Sequence, residues 1–181
     1  MPRLFVALPV PDEIADQLLS LQSGVPDARW QPPENFHVTL CFAGEVQGGT
    51  MRDFEEELSD IDGPPFAVAL AGVEQFVNGR QPRALVASVE RSERLDWLQQ
   101  KVSTVARNCG IVLERRKYRP HVTLARFASG AEAGHHLAQF MASHGTFRAG
   151  PWIADHFALY SSRMGRNGSI YSEEAGYPLR F

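Results

Sequence analysis

With 181 residues, 44% of them hydrophobic and 22% charged, the chain has the composition of a folded protein, which excludes a disordered one. A net charge of −3 excludes bulk attraction to a polyanion, so any nucleic-acid contact has to rest on a local basic patch. Cys41 and Cys109 form neither a disulfide framework nor a metal-ligand spacing, and the first apolar run is too short for a signal or membrane span, so the expectation is a cytoplasmic protein with no membrane partner.

In chain order, RLFVALPV (3–10) is apolar, partly β-branched and closed by prolines, which predicts a strand. Residues 11–24 predict a helix with Ile14, Leu18, Leu19 and Leu21 near helical spacing, acids at its start and Gly24 at its end. A loop holding Pro26, Pro32 and Pro33 leads into the strand FHVTLCF, and 50–63 predicts a second helix capped by Thr50, packed through Phe54 and Leu58, and stopped by Gly63. Residues 65–76 and 84–90 predict a strand pair about the turn NGRQPR. Residues 92–110 carry the clearest helical stripe, Leu95, Leu98, Val102 and Val105. IVLERRKYRPHVTLARF predicts further strands, 131–145 a shorter helix, and the tail two strands about Gly-Arg-Asn-Gly with a last strand ending the chain. Helices separated by pairs of strands point to an α+β fold with mainly antiparallel sheets. The rhythm occurs in both halves, so residues 1–181 read as a single two-lobed domain with weak internal pseudo-symmetry.

His-Val-Thr-Leu occurs twice, at 37–40 and at 121–124. Some repeated tetrapeptide arises by chance about 0.1 times in a chain this long, so the chemistry has to decide. In a strand, residues two apart share a face: His37 and Thr39 point one way and Val38, Leu40 and Phe42 the other, into a core. His121 and Thr123 repeat this against Val122 and Leu124. By the same period Cys41 falls on the His37 face, and Arg126 on the face of Val122 and Leu124, from which it reaches a ligand only if the strand twists or ends there.

Either motif alone is most simply a strand with two polar residues on its wet face. The matched pair, brought together by two lobes, suits metal-free cleavage of a phosphodiester. One imidazole takes a proton from the nucleophile, the other gives one to the leaving oxygen, and the threonine hydroxyls donate to the non-bridging oxygens. No His-x-x-x-His or His-Glu pairing supports zinc, and His135, His136, His144 and His156 read as surface or hydrogen-bonded residues. ERRKYR (114–119) with Arg126 is the local basic patch, balanced against a solvated edge strand protected by its charges. Phe5, Trp30, Phe42, Tyr118 and Tyr171 are the aromatics that could stack on a base, most of them expected in the core.

RLFVALPVP, ARWQPPENFHVTLCFAGEV, YRPHVTLARF and LYSSRMGRNGSIYSEEAGYPLRF together resemble the two-histidine (2H) phosphoesterases, in particular the RNA 2′,3′-cyclic phosphodiesterases, also called 2′-5′ RNA ligases. The resemblance spans nearly the whole chain. It implies a bilobal α+β fold with two mainly antiparallel sheets, helices outside and a central cleft with one motif from each lobe. It implies His37 as general acid, His121 as general base, and Thr39, Thr123 and Arg126 as phosphate contacts, with no metal and no cofactor. The implied reaction opens a 2′,3′-cyclic phosphate on RNA or a nucleotide to a 2′-phosphate. Joining RNA ends through a 2′-5′ bond is the alternative in the same site, and a non-catalytic RNA-end or nucleotide-binding module is the alternative of another class. A monomer is the default expectation.

Overall fold

A computed structural model describes residues 1–181. Nine strands form two sheets in which every pairing is antiparallel. The four-stranded sheet has the order β3 (His37–Glu45), β1 (Arg3–Pro9), β8 (His156–Gly165), β9 (Gly168–Pro178). The five-stranded sheet has the order β2 (Arg29–Trp30), β6 (His121–Arg126), β5 (Gln81–Val89), β4 (Phe66–Asn78), β7 (Arg148–Ala154). Each sheet carries one copy of His-Val-Thr-Leu, on β3 and β6, and these two strands approach each other where the sheets meet.

The helices tie the lobes together by crossing between them. Helix α1 (Asp12–Leu19) follows β1 of the four-stranded sheet, yet packs against β7 of the five-stranded one. Helix α3 (Glu93–Asn108) follows β5 but packs on β3, burying Leu95, Leu98, Val102 and Ala106. Ser92 caps α3 by accepting from the Leu95 N–H at 3.1 Å, and Glu93 and Asp96 suit its positive end. Helix α2 (Gly48–Leu58) packs on α3, and α4 (Gly134–His144) on β4. A single hydrophobic core therefore runs beneath both sheets, from Leu4 and Val6 through Leu98 to Val122 and Leu124.

Several boundaries differ from the sequence reading. Helix α1 ends at Leu19, which is exposed, and Leu21 is buried from the turn that follows. Thr50 does not cap α2: the helix starts at Gly48, with no side-chain cap. Gly63 does not end it either, because α2 stops at Leu58. Gly63 instead lets the chain pass the Trp97 ring, which a β-carbon there would approach to 2.7 Å. The β4–β5 turn is only Gly79 and Arg80, with Gly79 at φ +63°, so both strands extend further than composition suggested. Residues 111–120 form no strand; only β6 comes from that stretch. The tail makes β7 and the β8–β9 hairpin around Arg166 and Asn167, without a separate terminal strand. The two-residue β2 and a 3₁₀ turn at Pro33–Asn35 lie inside the proline-rich loop.

Candidate active site

On β3, Ala7 of β1 faces Thr39 and Val6 faces Cys41, which leaves Leu40 without a partner. On β6, Val86 of β5 faces Thr123 and Leu85 faces Ala125, which leaves Leu124 without a partner. Each motif thus holds a β-bulge at its leucine, and each bulge restarts the alternation one residue out of step. Leu40 and Cys41 are both buried, as are Leu124 and Ala125. The next residue on each strand, Phe42 and Arg126, turns to the side of the histidines. Two sequence expectations are corrected by this. Phe42 is not a core residue but is 52% exposed in the cleft. Cys41 leaves the His37 face for the core beside Ser103 and Arg107, where burial pushes its thiol up to about 11.

One cavity of about 270 Å³ is lined by His37, Thr39, Phe42 and Arg126 with Arg3 and Ser162. Arg126, Ser169 and Tyr171 also line an adjoining cavity of about 430 Å³, so the two share a wall. The His37 ring is stacked on Phe5 at 4.7 Å between centroids and meets the edge of Tyr171 at 5.2 Å. Phe5 is itself buried and stacked on Tyr160. This apolar seat lowers the His37 pKa to about 4; interaction with the Asn35 backbone opposes the shift, and the charges of Arg126 and His121 add to it.

His121 has a different neighbourhood with the same result. Its Nδ1 lies 2.7 Å from the Arg119 carbonyl oxygen and its ring meets the edge of Phe76 at 4.7 Å. With Nδ1–H donating to that carbonyl, Nε2 is left to face a reactant. Burial lowers its pKa, and Arg126 and Arg119 lower it further, against the Asn35-like help of the Arg119 backbone and the charge of Glu74. Arg119 is held off by Glu74 at 3.3 Å and by the Phe76 ring. Arg126 therefore acts on both imidazoles, and it lines the cavity of His37, while His121 lines neither of the two cavities. Thr39 and Thr123 are both partly buried, and Thr39 lines the cavity of His37.

Across the lobe boundary the Tyr118 hydroxyl donates to the Thr39 carbonyl at 2.8 Å. The segment leading into His121 is thereby fixed to the strand that carries His37. Tyr118 is a bridge between lobes and not an open stacking surface. Asn35, buried, donates to the Ser169 carbonyl at 3.0 Å and fastens the β8–β9 hairpin to the first motif. Arg115, Arg116 and Lys117 are exposed in the irregular 111–120 segment, with Arg116 paired to Glu114, so the edge-strand alternative has no strand to rest on. The cationic groups of the two cavities are instead Arg3, Arg29, Arg126 and Arg166. Of these only Arg126 was legible in the sequence, since the others follow no motif and are brought in by β1, β2 and a hairpin turn. His156 pairs with Asp155 at 2.7 Å, His144 packs on Phe140, and His135 and His136 are exposed on α4.

The lowered His37 pKa has a consequence for stability. At pH 8 the ring is neutral in both folded and unfolded chains and costs nothing. As pH falls below 6.5 the unfolded ring takes a proton that the folded one refuses until about 4, so stability is lost across that window. The full loss is about 3 kcal/mol. His37→Asn removes it: urea unfolding at pH 8 and at pH 4.5 is expected to show the wild type losing its advantage over the variant on acidification. An equal difference at both pH values would mean that the ring keeps its ordinary pKa.

The family model of LigT-like phosphoesterases matches the chain twice, over residues 8–86 and 86–171, one match for each half. An RNA 2′,3′-cyclic phosphodiesterase of Bacillus subtilis is 25% identical over 173 residues, covering 92% of this chain and 91% of that protein. One from Archaeoglobus fulgidus is 29% identical, covering 94% and 97%. The crystal structure of Escherichia coli LigT complexed with 3′-AMP superposes with a TM-score of 0.81 at 25% identity, covering 99% of both chains. Two matches of one family model, near-complete coverage by relatives and a shared fold all agree: this chain belongs to the LigT-like phosphoesterases of the two-histidine superfamily.

Proposed function

We propose that the protein hydrolyses 2′,3′-cyclic phosphate ends of RNA to 2′-phosphates, without a metal, with His37 as general acid and His121 as general base. The observation that carries this reading is the pair of identical bulged His-x-Thr strands that meet between the two sheets, with the charge of Arg126 acting on both histidines. The names of the relatives as RNA 2′,3′-cyclic phosphodiesterases, and the 3′-AMP held by the Escherichia coli protein, support it.

In this reading the cyclic phosphate lies against Arg126, with the Thr39 and Thr123 hydroxyls donating to its non-bridging oxygens. Water attacks phosphorus from the β6 side and gives its proton to His121. The bond from phosphorus to O3′ breaks, and O3′ takes a proton from His37. One water is consumed and the two rings exchange protonation states, which solvent resets. Both rings have lowered pKa values, and a phosphodiester anion between them raises both. The substrate thus brings with it the charge that lets His37 hold its proton.

The test is turnover of 2′,3′-cyclic AMP and of a short RNA with a cyclic end, in excess chelator, with products resolved as 2′- or 3′-phosphate. Chelator-resistant release of 2′-phosphate is the expected result. Release of 3′-phosphate would reverse which oxygen faces His37, and joined product from separate RNA ends would make ligation the working reaction. Binding without turnover would leave a nucleotide-binding module.

A further inference from the structure

The cavity of about 430 Å³ is larger than the neighbouring one that His37 lines, and the proposed chemistry does not use it. Its walls are Arg29 and Trp30 from β2 on one side and Arg166 with Met164 and Ile170 from the β8–β9 hairpin on the other. Arg29 stands directly opposite Arg126 in the β2–β6 pairing, so two guanidinium groups share one sheet face. Like charges in that position repel. Neither residue, nor Arg166, is engaged in any of the ion pairs of the protein, although Glu34 lies on the same rim. In a chain of net charge −3, three unpaired arginines around one cavity are a local inversion of sign. The Trp30 ring, tilted on Phe140 at 6.2 Å, is only partly buried and gives the cavity an aromatic wall. Cations following a groove beside an aromatic wall are the elements that bind single-stranded nucleic acid without regard to sequence.

We propose that this cavity binds the RNA strand on the 5′ side of the cyclic end, with Arg29 and Arg166 on its next phosphates and Trp30 against a base. This rests on the phosphodiesterase reading for the position of the end itself. The phosphate that reacts lies at Arg126, which both cavities share, so the next anions of a longer strand pass between Arg29 and Arg166. A mononucleotide fills only the histidine pocket. The site therefore sets a preference for oligonucleotide ends over cyclic mononucleotides, and Arg29, Trp30 and Arg166 determine specificity without entering the chemistry.

The experiment compares wild type, Arg29→Ala, Arg166→Ala and the double variant on 2′,3′-cyclic AMP and on the trinucleotide ApApA bearing a 2′,3′-cyclic phosphate. Each single variant is expected to lower kcat/KM for the trinucleotide about ten-fold, the size of one charged hydrogen bond, while mononucleotide turnover stays within about two-fold. The salt dependence of trinucleotide KM flattens by about 0.7 in log–log slope per lost phosphate contact. In parallel, anisotropy of a 5′-labelled ApApA ending in a 3′-phosphate reads binding without chemistry. Wild type that turns over neither substrate would sink the phosphodiesterase reading, and the anisotropy arm would still decide the cavity. Equal losses on both substrates, or unchanged trinucleotide binding by the double variant, would overturn the proposal.

Discussion

His37→Ala and His121→Ala are each expected to lower kcat on a 2′,3′-cyclic phosphate by about 10²–10⁴, the range that a positioned general acid or base supplies. The two effects should not multiply. In the proposed mechanism, proton donation to O3′ and proton removal from water belong to one displacement, so a double variant is expected to fall little below the weaker single one. The truncations differ structurally. His37 is stacked on Phe5 and meets Tyr171 edge-on, and its removal opens a gap against a buried ring, whereas His121 lies on the edge of Phe76. Asparagine variants fill more of that space and keep a polar tip, so matching losses in alanine and asparagine forms assign the effect to proton transfer and not to repacking. Product 2′-phosphate should still bind both variants, because Arg126, Thr39 and Thr123 remain. Either ring proving dispensable, with activity within about ten-fold of wild type, would remove it from the acid–base pair.

What the sequence revealed and what it concealed follow from the range of the interactions involved. The α+β class, the antiparallel sheets and the bilobal arrangement were legible because strand and helix periods are local, and because the two halves repeat one rhythm. Helix α3 stands out through its apolar stripe, while its Ser92 cap is visible only in the structure. The strand β2 did not, since two residues inside a proline-rich loop carry no period; it exists only because β6 offers a free edge. The stretch 111–127 reads as strands, but only His121–Arg126 pairs in a sheet, and 111–120 is irregular.

The side on which each site residue falls was legible only up to the leucine of each motif. His37, Thr39, His121 and Thr123 follow strict alternation, and alternation fails at the next step in both strands. A bulge is set by the partner strand, and no residue of HVTLCF or HVTLAR announces it; the leucine without a partner is ordinary core. That both copies break at the same residue is the internal repeat expressed in three dimensions. Arg3, Arg29 and Arg166 were invisible for the same reason: tertiary neighbours, not near ones in sequence, bring them to the cavities.

Arg126→Ala is the substitution that tests what the bulge accomplishes. Without the extra residue at Leu124, Arg126 would point into the core face, an arrangement no unpaired guanidinium tolerates. With it, the side chain reaches the cavity that holds His37 and Thr39. Loss of a preorganised cation facing a phosphate in transition is expected to cost about 10²–10³ in kcat/KM. A second effect identifies the mechanism. The positive charge of Arg126 lowers the pKa of His37 and of His121, so its removal raises both toward 6.5. In the proposed mechanism the free enzyme reacts when one ring is protonated and the other is not, and kcat/KM reports that state. The wild-type kcat/KM optimum therefore lies below pH 6.5, and in Arg126→Ala it moves to higher pH. Arg126→Lys keeps the charge and loses the two-pronged contact, so it is expected to hold the wild-type pH profile while recovering only part of the rate. An alanine variant with lowered activity but an unmoved optimum would reduce Arg126 to a packing role, and would leave the phosphate without the cation that the two bulged strands are arranged to supply.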